Sequence, residues 1–224
     1  PTAAACLMAI WLLGAGWGIQ RLWRARREAK RLWSLARPLD AAALSLDWLD
    51  LCREMDIRRP PALMVGQVAS PLLLGPAHPC IILPEEMLTS EHTATLRMIL
   101  AHELAHLRRS DLLWSWLIIA ADLLFFFHPL VWLAKCESRL ATEVACDALA
   151  LHKAAAPLQT YGAMLVEITA RGHTPELPVL GISESYRTLA RRLRALAAQA
   201  HPFRRRPAVL CGVVVLMVAL ALVP

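Results

Sequence analysis

The sequence is poor in charged residues and contains no paired-cysteine motif, which excludes several common classes of protein. Only 19% of its 224 residues are charged, whereas 57% are hydrophobic, and soluble domains usually carry about a quarter charged residues. So much apolar mass needs either an unusually large core or a lipid bilayer. None of the six cysteines forms a C-x-x-C pair. We therefore expect neither a disulfide framework nor a cysteine zinc site, but reduced thiols, as in a cytoplasmic domain.

Two uncharged apolar runs lie at the ends of the chain, and we predict that each crosses a membrane. The first, residues 2–19, reads TAAACLMAIWLLGAGWGI, and the last, residues 208–224, reads AVLCGVVVLMVALALVP. A helix needs about 20 apolar residues to cross hydrocarbon about 30 Å thick. Both runs look trimmed, and the initial proline indicates a piece of a longer protein. The alternative is a pair of buried core helices, which would rarely be so free of polar residues.

The net charge of +6 is concentrated beside these runs. Arginines crowd residues 21–37 and 186–207, which is the pattern of loops on the cytoplasmic side of a membrane. No aromatic-interleaved basic patch accompanies them, so we expect no direct contact with nucleic acid. The sequence thus predicts a transmembrane helix over 1–20, a cytoplasmic domain over 21–206 and a second transmembrane helix over 207–224. It predicts a multi-pass protein of the inner (plasma) membrane.

Between the terminal runs, apolar spacing predicts mostly helices and a few short strands. Residues 41–57 have the periodicity of an amphipathic helix. The pieces ALMV, PLLLG and CIILP are separated by Gly and Pro, as in small strands joined by turns. A long helix follows, with Thr89 or Ser90 as its expected N-cap. The pattern stays helical to about residue 156 and again after Pro157.

The segment HELAH, residues 102–106, fits the H-E-x-x-H pattern of helical zinc sites. His102 and His106 are four residues apart, so one helix face can present both imidazoles to a Zn²⁺ ion at roughly 2.0–2.1 Å. Glu103 would lie beside them as the catalytic base, because zinc lowers the pKa of water toward 7 and a nearby carboxylate can take the proton. The alternative is a helix that happens to contain two histidines.

A catalytic zinc site needs a third protein ligand, and the H-x-x-G-x-x-H extension found in some families is absent here. Downstream, Glu143 and Asp147 lie four residues apart in a helical pattern. We predict that Glu143 is the third ligand and that Asp147 accepts a hydrogen bond from a ligand histidine, which fixes its tautomer. The alternative, a pair of solvated carboxylates, is weakened by the mostly apolar residues around them.

The apolar run between the two halves of this site cannot be a simple membrane crossing if the site forms. A crossing would hold Glu143 about 30 Å from the two histidines. His128 and Pro129 offer a break, because proline interrupts a helix and restricts the residue before it. We therefore predict a helical hairpin around residues 110–134, with His128 as a structural cap at its turn. The sequence leaves open whether the hairpin enters lipid.

Together these motifs resemble the BlaR/MecR group of integral-membrane zinc metallopeptidases, which are antirepressors and sensor-transducers. The segments SPLLLGPAHPCIILPEEM, ILAHELAHLRRSDLLW, FFFHPLVWLA and ESRLATEVACDALAL carry the resemblance, which covers nearly the whole chain. It implies that His102, His106 and Glu143 bind zinc. It also implies that Glu103 is the catalytic base and Asp147 the supporting carboxylate.

The resemblance implies a mainly α (α+β) fold, a zincin-like domain with a small β-sheet flanked by transmembrane helices. The expected function is that of a zinc metalloendopeptidase in signal transduction. Its substrate would be a cytoplasmic or membrane-proximal regulatory protein, such as a transcriptional repressor, or the chain itself. The alternatives are a housekeeping membrane zinc metalloprotease of protein quality control and a non-catalytic zinc-binding membrane transducer. The expected partners are the lipid bilayer and a protein substrate, with a homo-oligomer left open.

Overall fold

The computed structural model describes residues 2–44, 46–88, 93–154, 157–171 and 186–198. The helices are α1 (Ala3–Leu35), α2 (Trp48–Glu54), α3 (Thr93–Arg109), α4 (Asp111–Leu124), α5 (Pro129–Ala154), α6 (Leu158–Arg171) and α7 (Tyr186–Ala198). The strands are β1 (Arg37–Pro38), β2 (Ala62–Gly66), β3 (Leu72–Leu74) and β4 (Cys80–Pro84). The predicted fold class, mainly helical with a small sheet, is confirmed.

The four strands form one mixed sheet in the order β1-β2-β4-β3. β2 and β4 run parallel, with Ala62 opposite Cys80, and the edge strands β1 and β3 pair antiparallel to them. The three apolar pieces predicted as strands are confirmed. β1 was not predicted, because its two residues carry no apolar run. Gly75, between β3 and β4, has φ 80°, and a Cβ there would lie 2.3 Å from the His78 carbonyl oxygen. This turn therefore requires glycine.

The single amphipathic helix predicted over residues 41–57 is wrong. A 3₁₀ turn at Ala41–Ala43 and the separate helix α2 take its place. Asp40 and Asp47 each accept a hydrogen bond from a backbone N–H two or three residues further on. Each aspartate therefore begins a short helix of its own, as capping residues do. The caps predicted for α3, Thr89 and Ser90, lie outside the described residues.

The main hydrophobic core lies where α3 packs between the sheet, α2, α5 and α6. Leu100 and Leu104 of α3 are fully buried, one turn apart, and Ile81 and Leu83 of β4 are fully buried on the sheet side. α3 therefore turns its apolar face toward the sheet and presents its other face to α5.

α4 and α5 form a helical hairpin joined by residues 125–128. α4 begins directly after Ser110, whose φ of 58° and ψ of 35° put it in the left-handed region. The break falls at the predicted His-Pro position, where Pro129 is the first residue of α5. His128 Nδ1 accepts a hydrogen bond from the backbone N–H of Leu130 at 3.2 Å, the contact expected of a cap.

α1 is one continuous helix of 33 residues, and it extends well beyond the predicted boundary at residue 20. Within the part of the chain that the structure describes, it is the one helix long and apolar enough to cross a membrane. Its apolar residues Leu7, Met8, Ile10 and Leu13 are each more than half exposed. The second span, predicted over 207–224, lies outside the described residues.

Two glycines of α1 form its contact with the hairpin. A Cβ at Gly14 would lie 2.1 Å from Phe126 Cζ, and one at Gly18 would lie 2.7 Å from Leu123 Cδ1. Gly14 and Gly18 are four residues apart, the spacing of small residues that lets membrane helices approach closely. Trp11 adds a hydrogen bond from its indole Nε1 to the Leu124 carbonyl oxygen, 3.0 Å away.

This contact predicts different effects for two neighbouring glycines. Gly14→Leu should destabilise the protein in detergent micelles by about 1–3 kcal/mol, because the new side chain must displace the Phe126 ring. Gly16 has no atom within 4 Å of its Cβ position. Gly16→Leu should therefore leave stability unchanged or raise it slightly, since leucine favours helix more than glycine does. Unfolding midpoints in an SDS titration measure both variants, and equal midpoints would contradict the contact.

Candidate metal centre

α3 and α5 bring His102, His106 and Glu143 together. The Nε2 atoms of the two histidines are 3.2 Å apart. Glu143 Oε2 lies 3.4 Å from His102 Nε2, and Glu143 Oε1 lies 3.8 Å from His106 Nε2. Ligand atoms around a tetrahedral zinc ion with bonds of about 2.0–2.1 Å are roughly 3.3–3.4 Å apart. The three predicted ligands thus fit a divalent ion of this type.

The local sequence explains why these side chains converge. His102 and His106 occupy the face of α3 opposite its buried leucines, and the hairpin returns the chain so that α5 packs along that face. The side chains of His102, His106 and Glu143 are 12%, 16% and 6% exposed. Electrostatic interactions among them are therefore stronger than they would be in bulk water.

Asp147 and Tyr161 contact the far side of the His102 ring. Asp147 Oδ1 lies 3.0 Å and the Tyr161 hydroxyl 3.2 Å from His102 Nδ1. The Tyr161 hydroxyl donates to Asp147 Oδ1 at 3.0 Å. A proton on Nδ1 that is directed at Asp147 leaves Nε2 free to bind a metal, so Asp147 stands where its predicted role requires.

Arg192 of α7 completes this arrangement and was not predicted. It is 4% exposed, and its Nε and Nη2 donate to the two carboxylate oxygens of Asp147 at 2.7 and 2.6 Å. Its Nη1 lies 3.2 Å from Glu143 Oε2. The sequence pattern predicts only membrane-flanking charge for the arginines of residues 186–207. The sequence does hold one signal of the burial of Arg192. This arginine follows Leu189 by three residues and precedes Leu196 by four, so it lies on the apolar face of α7, where both leucines are buried.

His106 has its own carboxylate partner, Asp111, which sequence reasoning also missed. Asp111 Oδ2 lies 3.0 Å from His106 Nδ1, and Arg109 Nε donates to the same oxygen at 3.2 Å. The thiol of Cys146 lies 3.3 Å from His106 Nδ1 and 3.2 Å from Asp111 Oδ2. On an uninterrupted helix Asp111 would point away from His106. The left-handed Ser110 turns the chain and brings it back.

The charged groups shift one another's pKa values strongly. Burial alone would raise the pKa of Glu143, but the hydrogen bond from His102 and the charges of His106 and Arg192 lower it to about 2. Burial alone would lower the pKa of His102, whereas hydrogen bonds to Asp147 and Glu143 raise it to about 10. Without a metal, the His102 ring is therefore protonated on both nitrogens and positively charged at neutral pH.

Glu103, the predicted base, lies on the neighbouring face of α3 and is partly buried. Burial raises the pKa of its carboxyl group, and the charges of His106 and His102 offset part of that rise. A carboxylate with a raised pKa is better matched to proton transfer near neutral pH than an exposed one. The raised pKa of Glu103 thus suits a general base.

Comparison with known proteins gives a family and a few curated relatives. The sequence model of the family described as "BlaR1 peptidase M56" matches residues 1–196. Regulatory protein BlaR1 of Bacillus licheniformis is 29% identical over 129 residues, which are 56% of this chain and 21% of the relative. The methicillin resistance mecR1 proteins of Staphylococcus aureus and Staphylococcus epidermidis are each 25% identical over 82 residues, 37% of this chain and 14% of theirs. The chain thus spans about a fifth or less of these relatives.

The raised pKa of His102 predicts that metal loading releases protons. At pH 7 both ring nitrogens of His102 are protonated in the metal-free site, because the folded pKa is about 10, and a metal must displace the proton on Nε2 to bind there. We expect zinc binding to release about one proton per site. Calorimetric titrations in buffers of different ionisation enthalpy measure this release. A binding enthalpy independent of the buffer would contradict the prediction.

Two adjacent arginines of α7 provide a matched test of how the site is held. Arg192→Ala removes the partner of the buried Asp147, so we expect zinc affinity to fall roughly 10–100-fold. Arg191 pairs with the exposed Glu137. Arg191→Ala should change affinity very little, since solvent screens an exposed ion pair and leaves it contributing little. Chelator competition measures both variants. Equal affinities in folded variants would show that Arg192 does not hold the site.

Proposed function

The chain belongs to the BlaR1 peptidase M56 family, and from that premise we propose that it is a membrane-anchored zinc metalloendopeptidase. The observation that carries this proposal is the convergence of His102, His106 and Glu143 within reach of one ion. Each histidine also has a carboxylate behind it, Asp147 for His102 and Asp111 for His106. Such backing is typical of metal-ligating histidines.

The proposed roles follow from the contacts of each residue. Zinc, when bound, supplies Lewis acidity and lowers the pKa of water. Glu103 would accept and return the proton, since burial raises its pKa. Asp147 and Asp111 would keep the Nε2 atoms of the two ligand histidines directed at the metal. Arg192 would hold Asp147 and Glu143 in place through the 2.6–3.2 Å contacts described above.

The proposed substrate is a cytoplasmic or membrane-proximal regulatory protein, such as a transcriptional repressor, or the chain itself. The arginines that follow the apolar half of α1 support a cytoplasmic location for the site. The names of the relatives, a regulatory protein and methicillin resistance proteins, favour a role in signal transduction. We propose a multi-pass inner-membrane protein on the same grounds.

Two alternatives share the metal ligands. A housekeeping metalloprotease of protein quality control would cleave many unrelated proteins, whereas a regulatory peptidase would cleave few. A non-catalytic zinc-binding transducer would cleave none. Glu103 argues against the last alternative, because a purely structural site has no use for a partly buried carboxylate beside the metal.

Replacement of Glu103 separates these functions. Glu103→Ala should retain zinc but lose at least roughly 10²-fold in proteolysis, because general-base catalysis contributes about 10²–10⁴-fold. Glu143→Ala should lose both zinc and proteolysis, and it serves as the comparison variant. The readouts are zinc content and the new protein N-termini in cells that carry the active chain. Unchanged cleavage by Glu103→Ala would show that Glu103 is not the general base. An identical set of termini with and without the wild-type chain would favour the transducer.

A further inference from the structure

The end of the α4–α5 hairpin exposes a continuous apolar surface. We call residues 124–133 the hairpin tip. Five of its large apolar side chains are between 47% and 57% exposed: Leu124, Phe127, Leu130, Trp132 and Leu133. Apolar patches of this kind on folded proteins mark sites that contact a partner or a membrane.

Three successive backbone carbonyl groups at the turn of the hairpin have hydrogen-bond partners within the protein. The Leu124 carbonyl accepts from the Trp11 indole at 3.0 Å, the Phe125 carbonyl from the His128 backbone N–H at 2.9 Å, and the Phe126 carbonyl from the Trp132 indole at 2.5 Å. In water, an exposed carbonyl can hydrogen-bond to solvent. In hydrocarbon it needs a partner within the protein. Three successive internally bonded carbonyls at an irregular, exposed turn therefore favour lipid over water as the surroundings.

The hairpin also carries no unpaired charge along its apolar stretch. Asp122 is the one charged residue between positions 112 and 134. Lys135 of α5 donates to Asp122 Oδ2 at 2.5 Å, which pairs the charge across the two helices. Ionisable residues inside membranes are paired in this way, within the helix bundle.

The contact with α1 gives the depth of the tip. Phe126 packs on Gly14, seven residues before Arg21, the first charged residue of the helix. A rise of 1.5 Å per residue places this contact about 10 Å inside the hydrocarbon, which is about 30 Å thick. Arg21 stacks over the Trp17 ring at 4.9 Å, an aromatic and basic pair suited to the interface.

We propose that the hairpin tip is embedded in the lipid bilayer beside α1, entering from the arginine side and returning without crossing. The proposal rests on the membrane anchoring in the proposed function. It places the metal centre at the membrane surface. Glu143 lies 14 residues along α5 from Pro129, which is about 21 Å at 1.5 Å per residue. With the tip about 10 Å deep, Glu143 lies about 10 Å outside the hydrocarbon. The accessible substrate would then be a segment held close to the lipid headgroups.

Site-directed spin labelling of the full chain in phosphatidylethanolamine/phosphatidylglycerol vesicles tests this location. Single cysteines carry the nitroxide at Phe127→Cys in the tip, at Leu13→Cys in α1 and at Leu49→Cys in α2, all exposed positions. Cys6, Cys136 and Cys211 are first replaced by serine. The buried cysteines stay, among them Cys52. Burial raises the pKa of Cys52 to about 11, so its thiol reacts poorly with the label. Circular dichroism verifies the fold of each variant. Collisions with oxygen report lipid, and collisions with a water-soluble nickel complex report water.

We expect labels 127 and 13 to be reached by oxygen and protected from nickel, and label 49 to show the reverse. Nickel access at 127 with protection at 13 would overturn the hairpin proposal and leave the anchoring intact. Protection of 127 from both reagents would show a protein partner or a second copy, and would overturn lipid as the occupant. Nickel access at both 127 and 13 would overturn the membrane anchoring together with the hairpin proposal.

Discussion

The buried ion pair between Arg192 and Asp147 is the interaction on which the geometry of the candidate metal centre depends. Asp147 is completely buried, and an uncompensated carboxylate there would be strongly destabilising. The bidentate arginine neutralises it and also reaches Glu143, so α7 and α5 are fixed relative to each other. His102 then takes its orientation from Asp147. Three helices thus contribute to one charge arrangement, in which a second proton on His102, at Nε2, and a bound divalent ion are alternatives.

The convergence of His102, His106 and Glu143 could be predicted from the sequence because each step was local or forced. The four-residue spacing in HELAH puts two imidazoles on one face of a helix, and the need for a third ligand directs attention to Glu143 and Asp147. The same reasoning missed Asp111 and Arg192. The contact of Asp111 with His106 depends on the left-handed backbone of Ser110, which apolar periodicity does not reveal. Arg192 lies among other arginines of α7 that are exposed. The packing of the helices distinguishes Asp111 and Arg192 from the other charged residues near them in the sequence.

The fold class and the apolar strands could also be predicted from local sequence patterns, whereas the boundaries of the elements could not. Apolar periodicity extends across residues 41–57, but two aspartates cap two separate helical pieces there. Side-chain hydrogen bonds to the backbone prevail over periodicity at such positions. In α1 the helix continues past the apolar run into its arginine-rich half, since arginine is a good helix former. Hydropathy therefore marked the end of the apolar run and not the end of the helix.

The corner at Ser110 has a consequence for the molecule as a whole. Since α3 and α4 meet at one left-handed residue with no intervening loop, the direction of the hairpin and the position of Asp111 cannot vary independently. Tilting of α4, as by a thinner or thicker bilayer, would carry Asp111 toward or away from the imidazole of His106. Under the proposed function, bilayer thickness and the environment of the His106 imidazole would therefore be linked through the backbone angles of Ser110.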